Sequence, residues 1–165
     1  MGKLTVLALR VVLVMLLGGS VFVQAVMVPL LAVDLREAGA DPVLVRAPVI
    51  AIVFLGIVAV QAVLVCVWLL VTKVRRGTVF SSTAFRYVDV MIGAIVAAAL
   101  LVFGLGFVMA PGEAVPPGVV LLVGGAGMAL LGVALIVVVL RTLLAQAIES
   151  RAEASRLRGE LDEVI

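Results

Sequence analysis

Four predominantly apolar stretches, Leu9–Leu31, Pro48–Val71, Val88–Ala110 and Gly118–Leu140, constrain this chain more than any other feature. Each holds about 23 or 24 residues, or roughly 35 Å of helix, against a hydrocarbon core of about 30 Å. Each therefore predicts a membrane-spanning helix with some tilt. Composition agrees: of 165 residues, 65% are hydrophobic and 13% charged, with a mean hydropathy of +1.42, whereas a soluble domain is about half apolar and about a quarter charged. Lys3 precedes the first stretch as in a signal peptide, but that stretch exceeds the roughly 7 to 15 apolar residues of a signal core and is read as a retained helix.

Lysine and arginine in short loops set orientation. With the N-terminus in the cytoplasm, the inner side carries Lys3, Arg10, Lys73, Arg75, Arg76, Arg86, Arg141, Arg151, Arg156 and Arg158, and the outer side only Arg36 and Arg46. The bias predicts both termini inside. The first outer connection, Val33–Pro48, has mixed charge and two prolines, and could hold a short surface helix before Gly39. The second, Pro111–Gly118, is a proline-rich turn that neither neighbouring helix can run through. The fold expected is an all-α integral membrane protein, a compact four-helix bundle of two antiparallel hairpins. Residues 1–144 form the membrane domain and residues 145–165 a charged, helical cytoplasmic tail.

The composition disfavours whole classes of function. Histidine is absent, no span holds paired carboxylates, and no nucleophile stands beside a base, so the usual catalytic constellations cannot be assembled. The expectation is a protein that is not an enzyme, with no cofactor and no metal site. A net charge of +2 spread over short loops gives no dense basic face for nucleic acid. The lone Cys66 lies inside an apolar run and is read as a buried, inert thiol rather than a palmitoylation site.

Within the spans the polar residues are few. Gln24 and Gln61 are the only amides, and in lipid such groups seek interhelical partners. Centring the two apolar runs on each other leaves them roughly 8 Å apart in depth, so a direct bond requires one helix to be displaced or a water to intervene. Pro29 frees the carbonyl of Ala25 nearby. Arg10 and Asp89 lie near the inner interface and are expected to form an ion pair joining the first and third helices. Gly125 with Ala129, and Gly93 with Ala97, are small residues at helical spacing, favouring packing inside the monomer over a dimer face or a kink.

The inner loop, KVRRGTVFSSTAFRYVD from Lys73 to Asp89, reads as a helix stop, a turn and a helix start. Cations favour the end of the second helix, Gly77 suits the left-handed turn after it, Ser81 caps the third helix, and Phe80 and Phe85 stand at staple positions. A lone glycine without a following G-K-[ST] is a poor phosphate loop. Lys73, Arg75 and Arg76 are placed to meet anionic lipid headgroups. In the tail, Leu140, Leu143, Ala147, Ser150, Ala154, Leu157, Leu161 and Val164 follow a weak heptad seam. It could pair with a second copy or another protein, or belong to a solvated helix whose charges pair at i,i+4, as Arg156 with Glu160.

Four spans with both ends inside, the G-x-x-F-S element at Gly77, Phe80 and Ser81, and a charged tail after LRTLLAQA (Leu140–Ala147) together resemble the bacterial membrane proteins known as domain of unknown function 2975. The terminus LRGELDEVI (Leu157–Ile165) is similar to that of actinobacterial members. The resemblance implies a bacterial inner-membrane location but no established activity and no ligand residues. Members often lie beside a gene for a small helix-turn-helix regulator, which implies a membrane-tethered regulatory role. The function expected is thus a non-enzymatic interaction module using Arg75, Arg76, Phe80, Arg86 and Tyr87 of the loop with Leu157, Arg158 and Leu161 of the tail. It would act as a homodimer or with a cytoplasmic partner. The alternative is a small permease or channel component built on Gln24, Gln61 and the glycine-rich fourth helix.

Overall fold

A computed structural model describes the backbone of residues 3–75, 82–110 and 115–164, and the side chains within them except residues 3, 5, 74–75, 82–84 and 160–164. All regular structure there is helical. The first rod comprises α1 (Lys3–Phe22), a π-helical turn (Val23–Met27) and α2 (Val28–Glu37); a second π-helical turn (Pro42–Arg46) leads into α3 (Ala47–Arg75), followed by α4 (Ser82–Met109) and α5 (Pro117–Val164). Four of these helical rods are long and apolar enough to cross a membrane, which makes this a multi-pass helical membrane protein. Their outward faces carry large apolar side chains, with Phe107 80% and Leu121 78% exposed, as a surface solvated by lipid tails requires.

Both π-helical turns answer to a proline two residues further on. A proline at position i has no N–H for the carbonyl at i−4, and its ring clashes with that carbonyl. Pro29 strands the carbonyl of Ala25 and Pro48 that of Leu44, each the central residue of a π turn. Widening the turn to i→i−5 relieves the clash, so the Val28 N–H donates to the Val23 carbonyl and the Ala47 N–H to that of Pro42. The helix therefore passes Pro29 without breaking.

The helix expected before Gly39 in the Val33–Pro48 connection is present, but as the end of the first rod, which continues to Glu37, rather than as a separate surface helix. It ends in a Schellman motif: the Gly39 N–H donates to the Arg36 carbonyl at 3.2 Å and the Ala40 N–H to that of Leu35 at 3.1 Å. Gly39 takes φ +71°, the left-handed conformation this cap needs and glycine tolerates. Two residues on, the Asp41 carboxylate accepts from the backbone N–H groups of Leu44 (2.9 Å) and Val43 (2.8 Å), capping the next helical segment. These two donors hold the Asp41 carboxyl below its ordinary value.

Each of the three closely packed helices buries an alanine, Ala59 of α3, Ala99 of α4 and Ala134 of α5, beside the larger Cys66 and Ile95. Small residues let helix backbones approach closely, and α3 is packed extensively on α4, and α4 on α5. Along the last pair, the Phe103 ring covers Gly127 and Val123 meets Gly106. The first rod touches α3 more sparingly and makes no comparable contact with α5 among the described residues. Its contact face mixes the buried Val6, Leu13 and Val28 with the polar Arg10, Ser20 and Gln24, and with the first rod held mainly to α3 the compact bundle expected from the sequence is open on one side among the described residues. The small pairs assigned to internal packing point the wrong way: Gly125, Ala129, Gly93 and Ala97 are all exposed.

Candidate functional site

Two groups of polar side chains stand out against the apolar background. The first lies deep within the spans. The Gln61 side-chain amide, on α3, donates to Gln24 Oε1 at 3.0 Å and to Ser20 Oγ at 3.3 Å. The Ser20 hydroxyl in turn donates to the Leu17 carbonyl at 2.8 Å. Both amide hydrogens of Gln61 are thereby used, and no hydrogen-bonding capacity of its nitrogen is left for a ligand.

The direct glutamine bond departs from the depth offset expected from sequence. The contacts of Arg10 with Thr72 and of Gln24 with Gln61 fix a pairing displaced by about one helical turn, ~5 Å, from the one that centres the two apolar runs. The first rod is helical well beyond Leu31, so the middle of its apolar run is not the point about which it pairs with α3. Gln24 also sits in the first π turn. Ser20, which the amide pattern does not single out, stands four residues before Gln24 and so on the same helix face.

The second group gathers at the helix ends that carry Arg10, Lys73 and Arg141. Asp89 of α4 pairs with Arg141 of α5, not with Arg10: Arg141 Nη2 donates to Oδ2 at 2.9 Å, Nε lies beside Oδ1, and the Phe85 ring lies 5.7 Å from the guanidinium. The close packing of α4 on α5 brings Arg141 to Asp89, whereas the first rod is held against α3. Arg10 instead lies 5.4 Å from the Trp68 ring centre, and its Nη2 reaches Thr72 Oγ1 at 3.4 Å. Its Nε is buried with no hydrogen-bond partner. Between the two, Lys73 Nζ of α3 stands 5.8 Å from the Tyr87 ring of α4. A basic side chain thus fastens each successive pair of rods at this one end.

The residues expected to meet a protein partner are dispersed. Arg86 is exposed, while Tyr87 is half-buried under Lys73. Arg76, Phe80, Gly77 and Ser81, and the side chains of Arg75, Leu161 and Glu160, lie outside the described residues. Leu157 and Arg158 are exposed on α5, which runs without interruption to Val164. They stand roughly 25 Å beyond the Arg141–Asp89 pair along the helix, at about 1.5 Å per residue. Cys66 is buried.

Where the first rod stands away from α4, a cleft of about 430 Å³ opens, walled by Val23, Ile52, Gly56, Val102 and Leu105 among others, with Ser20 at its edge. Its wall is otherwise apolar and includes neither Gln24 nor Gln61. Such a cleft suits hydrocarbon and gives no polar path across the membrane.

No curated protein and no solved structure matches the chain at a significant level. Residues 30–165 match the family described as protein of unknown function (DUF2975), from α2 to the end of the tail. With a match over most of its length, the chain belongs to the DUF2975 family.

Proposed function

We propose that this protein is a non-enzymatic, multi-pass component of the bacterial inner membrane, with both termini in the cytoplasm, that serves as a membrane-tethered protein-interaction or regulatory module. In this reading its four spans form two antiparallel hairpins. The order of the pairings, Arg10 with Thr72, Gln24 with Gln61, Phe103 with Gly127 and Asp89 with Arg141, supports that arrangement. The observation that carries the reading is the length and exposure of α5. Its 48 residues make roughly 72 Å of helix at about 1.5 Å per residue, more than twice a hydrocarbon core of about 30 Å. Beyond Arg141 the described side chains are almost all exposed, Leu143 and Leu157 among them at more than half of their surface. A solvated helix with apolar residues at heptad spacing is suited to pairing with another helix. Lys73, Arg75 and Arg76 would face anionic headgroups at the same membrane surface.

Recovery of crosslinked partners from membranes tests this, using the full chain and a chain ended after Leu144. Loss of a crosslinked species, either a dimer of this chain or a defined cytoplasmic protein, on truncation is the expected result. Equal recovery from both chains, or no crosslinked species from either, would overturn it. The permease alternative finds less support, since the cleft wall is apolar and includes neither glutamine.

A further inference from the structure

Arg10 poses a problem of charge. It is half-buried near one end of a membrane-spanning rod, where an arginine is costly unless something neutralises it. The carboxylate best placed by sequence, Asp89, is held by Arg141. Among the described residues no other acidic side chain pairs with Arg10, and Thr72 offers only a neutral hydroxyl at 3.4 Å. That hydroxyl already donates to the Trp68 carbonyl at 2.9 Å, so its oxygen presents a lone pair to the guanidinium, which orients the cation without cancelling its charge. The Trp68 ring, 5.4 Å away, fixes the guanidinium further. Lys73, next in sequence to Thr72, brings a second positive charge to the same end of α3.

We propose that the seam between α1 and α3 at Arg10, Thr72 and Trp68 is a binding site for the phosphodiester of an anionic phospholipid. The guanidinium carries several N–H donors, of which one on Nη2 meets Thr72, and charge-assisted donors of this kind suit a phosphate oxygen. Tryptophan is favoured at the headgroup level, where such a phosphate lies. The first rod contacts α3 more sparingly than α4 does, and this seam is its main junction with the other helices. Acyl chains would then run along the apolar flanks of α1, where Leu7 and Val14 are exposed. The site rests on the membrane-spanning reading of the rods, but not on which end is cytoplasmic or on any role of the tail.

Native mass spectrometry of the full chain, released from nanodiscs of mixed phosphatidylglycerol and phosphatidylcholine, tests the proposal. Retention of phosphatidylglycerol in preference to phosphatidylcholine is expected. Arg10→Gln should lower that retention about ten-fold, the order expected for the loss of charge-assisted hydrogen bonds, and Arg10→Lys should restore part of it. Arg151→Gln, which removes an exposed cation of α5, should leave it unchanged, and inorganic phosphate should not displace the lipid. Equal retention of the two lipids, full retention in Arg10→Gln, an equal loss in Arg151→Gln or displacement by inorganic phosphate would each overturn it. Because a nanodisc offers both lipids to both leaflets, and because α5 keeps its full length throughout, failure here would leave the tail reading standing.

Discussion

The Gln24–Gln61–Ser20 cluster shows how a single polar contact can be worth more to a membrane protein as a locator than as a source of stability. Gln61 donates to partners on the first rod, and replacing it with leucine leaves the Gln24 carbonyl facing hydrocarbon. Interhelical hydrogen bonds in lipid contribute only about 0.6 to 2 kcal/mol, because an unfolded helix in the bilayer also finds partners. Gln61→Leu and Gln24→Leu should each lower stability by about that amount. The double variant should lose less than the sum of the two, since one bond serves both residues. Reversible unfolding in mixed micelles measures all three, and additive losses would show that the glutamines do not share a bond that matters. Both residues could be picked from the sequence as the only amides in the spans. Their meeting could not, because the pairing register depends on where the first rod ends, and that is decided by Gly39 and Asp41 rather than by the middle of the apolar run.

Close approach between α4 and α5 depends on one glycine more than on the motif that first draws the eye. A Cβ at Gly127 would lie 3.0 to 3.1 Å from three carbons of the Phe103 ring, whereas one at Gly125 would meet nothing within 4 Å. Gly127→Ala should therefore force the ring to move, with an overpacking cost of about 1 to 3 kcal/mol. Gly125→Ala should be neutral, or slightly stabilising through helix propensity. Unfolding midpoints of the two variants in one detergent provide the comparison, and equal effects would place the helix contact elsewhere. The four spans were readable from hydropathy, because lipid demands apolar length. Facing was not readable. Apolar residues surround each helix, so periodicity does not separate a protein contact from a lipid contact, and Gly125 and Gly127 look alike in sequence. The π turns escaped for a different reason: Pro29 and Pro48 forbid a particular hydrogen bond, but whether the helix breaks or widens is decided by the packing around it.

The molecule is asymmetric along its spans, with basic side chains fastening the rods at one end and the Schellman cap at the other. Charge next to the spans should then decide orientation. The order of the spans in the sequence assigns ten lysines and arginines to the side of Arg10 and Arg141, against Arg36 and Arg46 on the other. The tail supplies only Arg151, Arg156 and Arg158 of the ten, so seven remain without it. Cations within short loops and close to span ends carry the topology signal, while distant ones count little. The orientation is accordingly expected to survive removal of the tail. A fluorescent reporter that matures only in the cytoplasm should light up when fused after Ile165 and equally when fused after Leu144. A phosphatase that is active only outside should work when inserted at Gly39, whose cap lies between Arg36 and Arg46. Darkness of the Leu144 fusion with fluorescence of the Ile165 fusion would mean that the tail, not the loop and helix ends, sets the topology. The role of Lys73, Arg75 and Arg76 as the inner anchor would then fall, and with it the placement of Arg86 and Tyr87 on the same face as a cytoplasmic partner.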